Sequence, residues 1–215
     1  MKVAIIGATG FLGTSLVKEF ASRGHQVTAI SRKAEGETTE NVTYTKADVL
    51  DTDGLAEVLK GHDAVVSAYN SGWTNPNIYE DFIAGSVAIV EAVKKAGVSR
   101  YITIGGAGSL YIAPGLQLID TPEFPEEYKP GAGAAREFLE VIKNEKELDW
   151  VFFSPAIEMH QGITTGRTGK YRLGLDNPVF DENNRSYMSG EDVAVVLADE
   201  VENPKHHQQR FTAAY

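Results

Sequence analysis

Near the start of the chain, Gly7-Ala8-Thr9-Gly10-Phe11-Leu12-Gly13 forms a G-x-x-G-x-x-G run between an apolar stretch and an amphipathic one. Glycines so spaced permit a tight turn and a close backbone approach. The helix that follows offers free N–H groups and its positive dipole end to a diphosphate. The spacing departs from the stricter G-x-G-x-x-G, so the strand–turn–helix context carries the inference to a dinucleotide loop. A glycine-rich turn in a fold that binds no nucleotide is the alternative.

Further along, Ser31-Arg32-Lys33 stands where an NAD site places an acid that holds the ribose hydroxyls. An acid there would repel a 2′-phosphate, whereas Arg32 can hold one by charge-assisted hydrogen bonds and Lys33 can add charge. NADP(H) is therefore favoured; two solvated basic residues in a turn would leave NAD(H) open. Asp48-Val49 follows the third strand, where a carboxylate can meet the adenine amino group or simply cap the next helix. Ala68-Tyr69-Asn70 and Gly105-Gly106-Ala107-Gly108-Ser109 end the fourth and fifth strands, where small residues let a cofactor approach the backbone.

These positions need a scaffold of alternating strands and helices. Short β-branched runs predict strands at 3–6, 26–30, 42–46, 64–68, 100–104 and 150–154. Longer amphipathic runs predict helices at 11–23, 52–60, 78–95 and 131–146, with Gly24 as a left-handed cap of the first. The expected fold is α/β, a Rossmann-type doubly wound parallel sheet with helices on both faces. One domain spans 1–215, with a cofactor-binding core at 1–154. A small C-terminal addition over the cleft, 155–215, carries a strand at 170–173, a helix at 191–202 and a strand at 210–213. The Gly- and Pro-containing stretch 105–133 exceeds an ordinary connection and reads as a lid or binding loop.

Composition narrows the partners. The chain has 215 residues, 42% hydrophobic and 23% charged, and a formal charge of −10, which opposes nucleic acid and anionic membrane surfaces. The charge is uneven: residues 1–33 hold five Lys and Arg against Glu19 alone, a local +4, which leaves −14 for the rest. Lys18 and Arg23 fit a solvated helix face, so Arg32 and Lys33 are the residues that need a further reason. There is no cysteine, which removes thiolate catalysis, disulfides and Cys-based metal sites. The His residues show no metal-ligand spacing, and no metal is expected. The opening apolar run is too short for a signal peptide and no stretch suffices for a membrane span, so a cytoplasmic location is expected and the glycosylation patterns at Asn41 and Asn184 are read as chance. The run 164–171, T-T-G-R-T-G-K-Y, fails as a phosphate-binding P-loop because Thr164 replaces its first Gly and Tyr171 its magnesium-binding Ser or Thr. No G-x-S-x-G elbow is present.

Several stretches together resemble one family: G-A-T-G-F-L-G at Gly7, A-D-V at Ala47, K-K-A-G-V-S-R-Y at Lys94, G-G-A-G-S-L at Gly105, D-W-V-F-F-S-P-A at Asp149 and T-G-K-Y-R-L-G at Thr168. Over nearly its whole length the chain resembles the atypical short-chain dehydrogenase/reductases, NmrA-like proteins that include NADH-flavin reductases and relatives of biliverdin reductase B. Such proteins are often labelled NAD-dependent epimerase/dehydratase. The resemblance implies that Thr9 to Leu12 meet the pyrophosphate, Arg32 the adenosine phosphate and Ala68 the nicotinamide-side ribose. It places Ser154, Pro155 and Ala156 near the nicotinamide.

The chain departs from the wider family where proton transfer occurs. Typical members use Tyr-x-x-x-Lys, and none of the nine Tyr here has Lys four residues on. Lowering a Tyr from about 10 to about 7 takes roughly 4 kcal/mol, and no obvious cation supplies it. Sugar epimerisation or dehydration begins with oxidation of an alcohol and needs such a base, so that activity is the poorest fit. Reduction of a flavin, quinone or linear tetrapyrrole can take its proton from water and mainly needs two stacked rings. Ser109, which could hydrogen-bond that acceptor, Tyr111 and Tyr128 are the candidate catalytic residues; each also reads as a turn, packing or lid-surface residue. A redox sensor that binds NAD(P) without turnover is the competing reading, and the oligomeric state is left open.

Overall fold

Every residue of Lys2-Val3-Ala4-Ile5-Ile6 after Lys2 is buried, as expected of a central strand covered on both faces of a parallel sheet. The computed structural model describes residues 1–215. In chain order it contains β1 (Lys2–Ile6), α1 (Phe11–Ser22), β2 (Gln26–Ser31), β3 (Val42–Lys46), α2 (Thr52–Leu59), β4 (Ala64–Ser67), α3 (Ile78–Ala96) and β5 (Arg100–Ile104). There follow β6 (Tyr111–Ala113), β7 (Leu116–Gln117), α4 (Lys129–Ile142), β8 (Asp149–Ser154), β9 (Arg172–Gly174), α5 (Gly190–Glu202) and β10 (Gln209–Ala214).

The main sheet runs β3-β2-β1-β4-β5-β8-β10-β9, parallel throughout except for β9, which pairs antiparallel with β10. Val3 lies between Val27 on β2 and Ala64 on β4, so the winding direction reverses between β1 and β4. A crevice opens outside the C-terminal ends of strands at such a reversal. Leu16 and Phe20 of α1 and Val193 and Leu197 of α5 bury one face of the sheet against Val3, Ile5 and Phe153. Leu55 of α2, Phe82 of α3 and Phe138 of α4 bury the other against Ala4, Ile6 and Phe152.

The six core strands begin and end within a residue of their expected positions. Gly24 is left-handed, with φ +81°, and closes α1 as expected: its N–H reaches the Ala21 carbonyl at 3.0 Å while that of His25 reaches Phe20 at 3.1 Å. Helix α4 begins earlier than 131, because Pro130 fits a first turn that needs no N–H there. It also stops short of 146, where the Asn144 side chain folds back to the Glu140 carbonyl at 2.9 Å. Within 105–133, β6 and β7 form a small antiparallel ribbon among short 3-10 turns. The C-terminal segment is continuous with the core: β10 extends the sheet from β8, and α5 shares an apolar core with α1.

Candidate functional site

The loop leaving β1 is built by contacts that only glycine permits. Gly7 has φ +79°, and a Cβ there would stand 2.6 Å from the Ala68 carbonyl oxygen, so the loops after β1 and β4 touch at the reversal of the sheet. A Cβ on Gly13 would come within 2.0 Å of the Gly7 oxygen, which seats α1 tightly on the loop. Above Gly10 there is space, its nearest neighbour being the Gly7 oxygen at 3.3 Å. The N–H groups of Phe11, Leu12 and Gly13 make no hydrogen bond, no side chain caps the helix and its first turn holds no acid. By contrast, Asp51 accepts from Gly54 N–H at 3.0 Å to cap α2, and Ser189 accepts from Asp192 N–H at 3.1 Å to cap α5. Three free donors at a positive helix end beside an open cradle fit a diphosphate.

At the end of β2, the Ser31 hydroxyl accepts from Ala34 N–H at 3.2 Å and fixes the turn that carries Arg32 and Lys33. Lys33 lies 3.8 Å from Glu35, whereas the exposed Arg32 makes no ion pair or hydrogen bond. Arg23, in contrast, bonds Glu19 at 2.8 Å, Asp199 at 2.6 Å and Glu202 at 2.7 Å, so its charge is spent inside the fold rather than on a solvated helix face. Asp48 accepts from Leu50 N–H at 3.0 Å, and since Asp51 caps α2, Asp48 is not that cap. Val49 packs into the core beside it. Burial pushes the Tyr69 hydroxyl up, Asp81 adds to this, and Arg32 pulls it down while Asp48 pushes it up, which brings Arg32 and Asp48 into one electrostatic neighbourhood.

Tyr69 itself turns to α3: its hydroxyl donates to the Asp81 carbonyl at 2.9 Å, and its ring lies where a Cβ on Gly85 would be 2.4 Å away. The Asn70 side chain accepts from Gly72 N–H at 2.7 Å. The Tyr69 side chain is therefore held against α3, whereas Asn70 stays exposed. Gly105 serves packing as well as the turn, since a Cβ there would stand 1.9 Å from the Phe152 ring. At Gly106 a Cβ would meet nothing nearer than Ala135, at an ordinary 3.4 Å. Ser154 and Ala156 are buried at the C-terminal end of β8 with Pro155 between them, and the Ser154 hydroxyl has no hydrogen-bond partner.

The acceptor-side candidates divide. Ser109 is 1% exposed, with its hydroxyl 3.1 Å and its carbonyl 2.8 Å from the Arg210 guanidinium. Arg210 also donates to Asp176 at 2.9 Å, and Tyr111 N–H to the Asp176 carbonyl at 2.8 Å, so Ser109 belongs to a latch that holds the β6–β7 ribbon against residues 174–177. The Tyr111 ring lies 5.8 Å from the Arg210 guanidinium carbon. Tyr128 is exposed and packs edge-on against Trp73, while Lys129 pairs with Glu126. The sequence reading missed Arg210, Asp176 and Trp73. A charged residue inside the apolar last strand and a lone Trp in a Gly- and Asn-rich loop were the available signals.

Several tyrosine hydroxyls are pushed up, which opposes loss of their protons. A hydrogen bond to the Glu137 carboxylate pushes Tyr79 up, burial pushes Tyr101 up to about 12, and burial with Asp199 pushes Tyr171 up. A separate cavity of about 630 Å³ lies against the start of α4, lined by Tyr79, Asp120, Glu126, Lys129 and Arg136 among others. Its charges are paired within the protein, Arg136 with Asp120 at 2.8 Å and Lys129 with Glu126, and the glycine loop does not reach it. No helix of the protein is long and apolar enough to cross a membrane.

The chain is similar to known proteins over nearly its whole length. A family model described as NAD(P)H-binding matches residues 7–204. YwnB of Bacillus subtilis, described as uncharacterized, is 37% identical over 214 residues, which cover 99% of this chain and 97% of that one. A solved structure from Bacteroides thetaiotaomicron, described as a candidate epimerase, is 47% identical with a TM-score of 0.90 and covers 100% of this chain and 96% of its own. Another from Streptococcus pneumoniae, described as a candidate NADH-flavin reductase, is 34% identical with a TM-score of 0.87, covering 100% and 99%. Because the family match runs from the glycine loop through α5, the chain belongs to the NAD(P)H-binding proteins of the atypical short-chain dehydrogenase/reductase type.

Proposed function

We propose that the protein is an NAD(P)H-dependent reductase that prefers NADPH and reduces a planar conjugated acceptor, a flavin first among them. The observation that carries this reading is the row of free N–H groups at Phe11, Leu12 and Gly13, with the unpartnered Arg32 at the neighbouring strand end. Gly7, Thr9, Gly10, Phe11, Leu12 and Gly13 would cradle the diphosphate. Arg32, with Ser31 shaping its turn and Lys33 adding charge, would hold the adenosine phosphate. Asp48 and Val49 would border the adenine, and Ala68, Tyr69 and Asn70 would offer backbone to the nicotinamide-side ribose. Gly105, Gly106 and Ser154 to Ala156 would flank the nicotinamide.

When bound, the reduced nicotinamide supplies a hydride and water a proton, leaving NAD(P)⁺ and the reduced acceptor. The chain's own part is to orient two rings and exclude side reactions. The tyrosine hydroxyls pushed up, with no Lys four residues after any Tyr, favour this chemistry over oxidation of a sugar alcohol. The flavin is supported by the Streptococcus pneumoniae relative's description.

Purified protein mixed with NADPH and FMN, FAD, a quinone or biliverdin tests the reading through the absorbance of the reduced cofactor. Acceptor-dependent oxidation above the rate without protein is expected. Tight NADPH binding with no acceleration by any acceptor would reject the reductase and favour a redox sensor.

A further inference from the structure

We propose that Trp73 and Tyr128 form the surface on which the flavin ring stacks, an inference that rests on the reductase reading above. Trp73 is 61% exposed and Tyr128 46%, whereas the chain's other tryptophan, Trp150, is 3% exposed. Their ring centres are 5.6 Å apart at 84°, an edge-on arrangement in which both residues keep part of their surface exposed. Neither the indole N–H of Trp73 nor the Tyr128 hydroxyl is engaged by another group of the protein. Adjoining exposed aromatics form a contiguous apolar surface with a polar handle at each end, of the kind enriched where proteins meet ligands and partners.

The surroundings are shaped to hold the indole. A Cβ on Gly131, in the first turns of α4, would stand 2.8 Å from Trp73 Cζ3 and 3.0 Å from Ile78 Cδ1, so glycine is the residue that lets the indole lie against the helix. Trp73 belongs to the loop that leaves β4 beside Ala68, and Tyr128 to the segment that joins β5 to α4. Both therefore stand outside the C-terminal ends of neighbouring strands, on the side of the reversal away from Arg32 and β2. A dinucleotide laid across the reversal with its adenosine at Arg32 directs its nicotinamide to that side. A planar ring resting on Trp73 would be within reach of it, with the ring fixed by stacking and no base required.

The test uses the emission of the one exposed tryptophan. Oxidised FMN, titrated without nicotinamide, is expected to quench Trp73 while buried Trp150 serves as the reference, and Trp73→Phe should remove most of the quenching. In turnover, Trp73→Ala is expected to raise the KM for FMN about tenfold with kcat within about threefold. Unchanged NADPH affinity in that variant verifies the fold, and Tyr128→Ala should move the flavin KM in the same direction. An unchanged flavin KM and unchanged quenching overturn the proposal even where wild-type reductase activity stands. If the wild type reduces no flavin, flavin falls as the acceptor, and the presence or absence of Trp73-dependent quenching decides the proposal alone. A change in sedimentation of Trp73→Ala with flavin parameters unchanged would overturn it in favour of a second copy of the chain.

Discussion

Residue 13 lies so close to residue 7 that a Cβ on Gly13 would come 2.0 Å from the Gly7 carbonyl oxygen. Gly13→Ala must therefore push α1 from β1, at a cost of about 1–3 kcal/mol as for other overpacked sites. At Gly10 the nearest neighbour would be 3.3 Å away, so Gly10→Ala should fold with a smaller loss yet place its methyl in the diphosphate cradle. Thermal denaturation should separate the two variants, while NADPH titration should show both weakened by about tenfold or more. A Gly10→Ala protein with full NADPH affinity would show that the diphosphate lies elsewhere.

Arg32 is free to meet a phosphate because no acid of the protein meets it first. Arg32→Ala should lower NADPH affinity by about 1.5–3 kcal/mol, the worth of a charge-assisted hydrogen bond, and leave NADH affinity nearly unchanged. Parallel titrations with the two cofactors read the difference. Equal losses for both would remove Arg32 from cofactor selection.

Glu19, buried on α1, is held below the ordinary carboxylate value of 4.5 chiefly by Arg167, whose guanidinium donates to it at 2.7 and 2.9 Å. Arg23 adds a bond at 2.8 Å, against burial, which pushes the other way. A depressed folded-state pKa means that the stabilisation is complete above 4.5 and is lost as pH falls through the lower folded value. Glu19→Gln should destabilise the protein at neutral pH and flatten its acid-side loss of stability. Urea melts at neutral pH and in the acid limb test this; parallel curves for both proteins would count against it.

Ser109 packs with Arg210 rather than facing the crevice. Ser109→Ala should lower stability by about 1 kcal/mol, because Arg210 keeps the Ser109 carbonyl and Asp176. Its effect on flavin kcat/KM should stay within about threefold; a drop of a hundredfold would restore Ser109 as an acceptor contact.

Much of this was legible in the residues. The period of apolar runs such as Val3–Ile6 and the glycine after Ser22 and Arg23 are local signals, and they place β1, α1 and its cap within a residue. The cradle at Gly7 to Gly13 was legible for the same reason, since strand, turn and helix adjoin in sequence. Contacts between distant residues were not. Nothing local in Gly105 discloses the Phe152 ring that excludes a Cβ, and nothing in Ser109 discloses an arginine about a hundred residues on. Arg23 shows the same limit, because its helix position suits solvent equally well and, beyond Glu19 on its own helix, only α5 reveals its partners Asp199 and Glu202.

The ion cluster at the far end of α1 makes this helix a strut. Arg23 ties it to α5 through Asp199 and Glu202, and His25, just beyond it, meets Glu202 at 2.8 Å. The end that faces the crevice therefore has its donors arrayed before any anion arrives, and the entropy of arranging them is lost on folding rather than on association. Amide hydrogen exchange should then slow on NADPH addition at Phe11, Leu12 and Gly13 and stay level along the rest of α1. The last helix of the chain thus contributes preorganisation to the proposed diphosphate site at the first, with Asp199 and Glu202 acting at the opposite end of α1 from its free N–H groups.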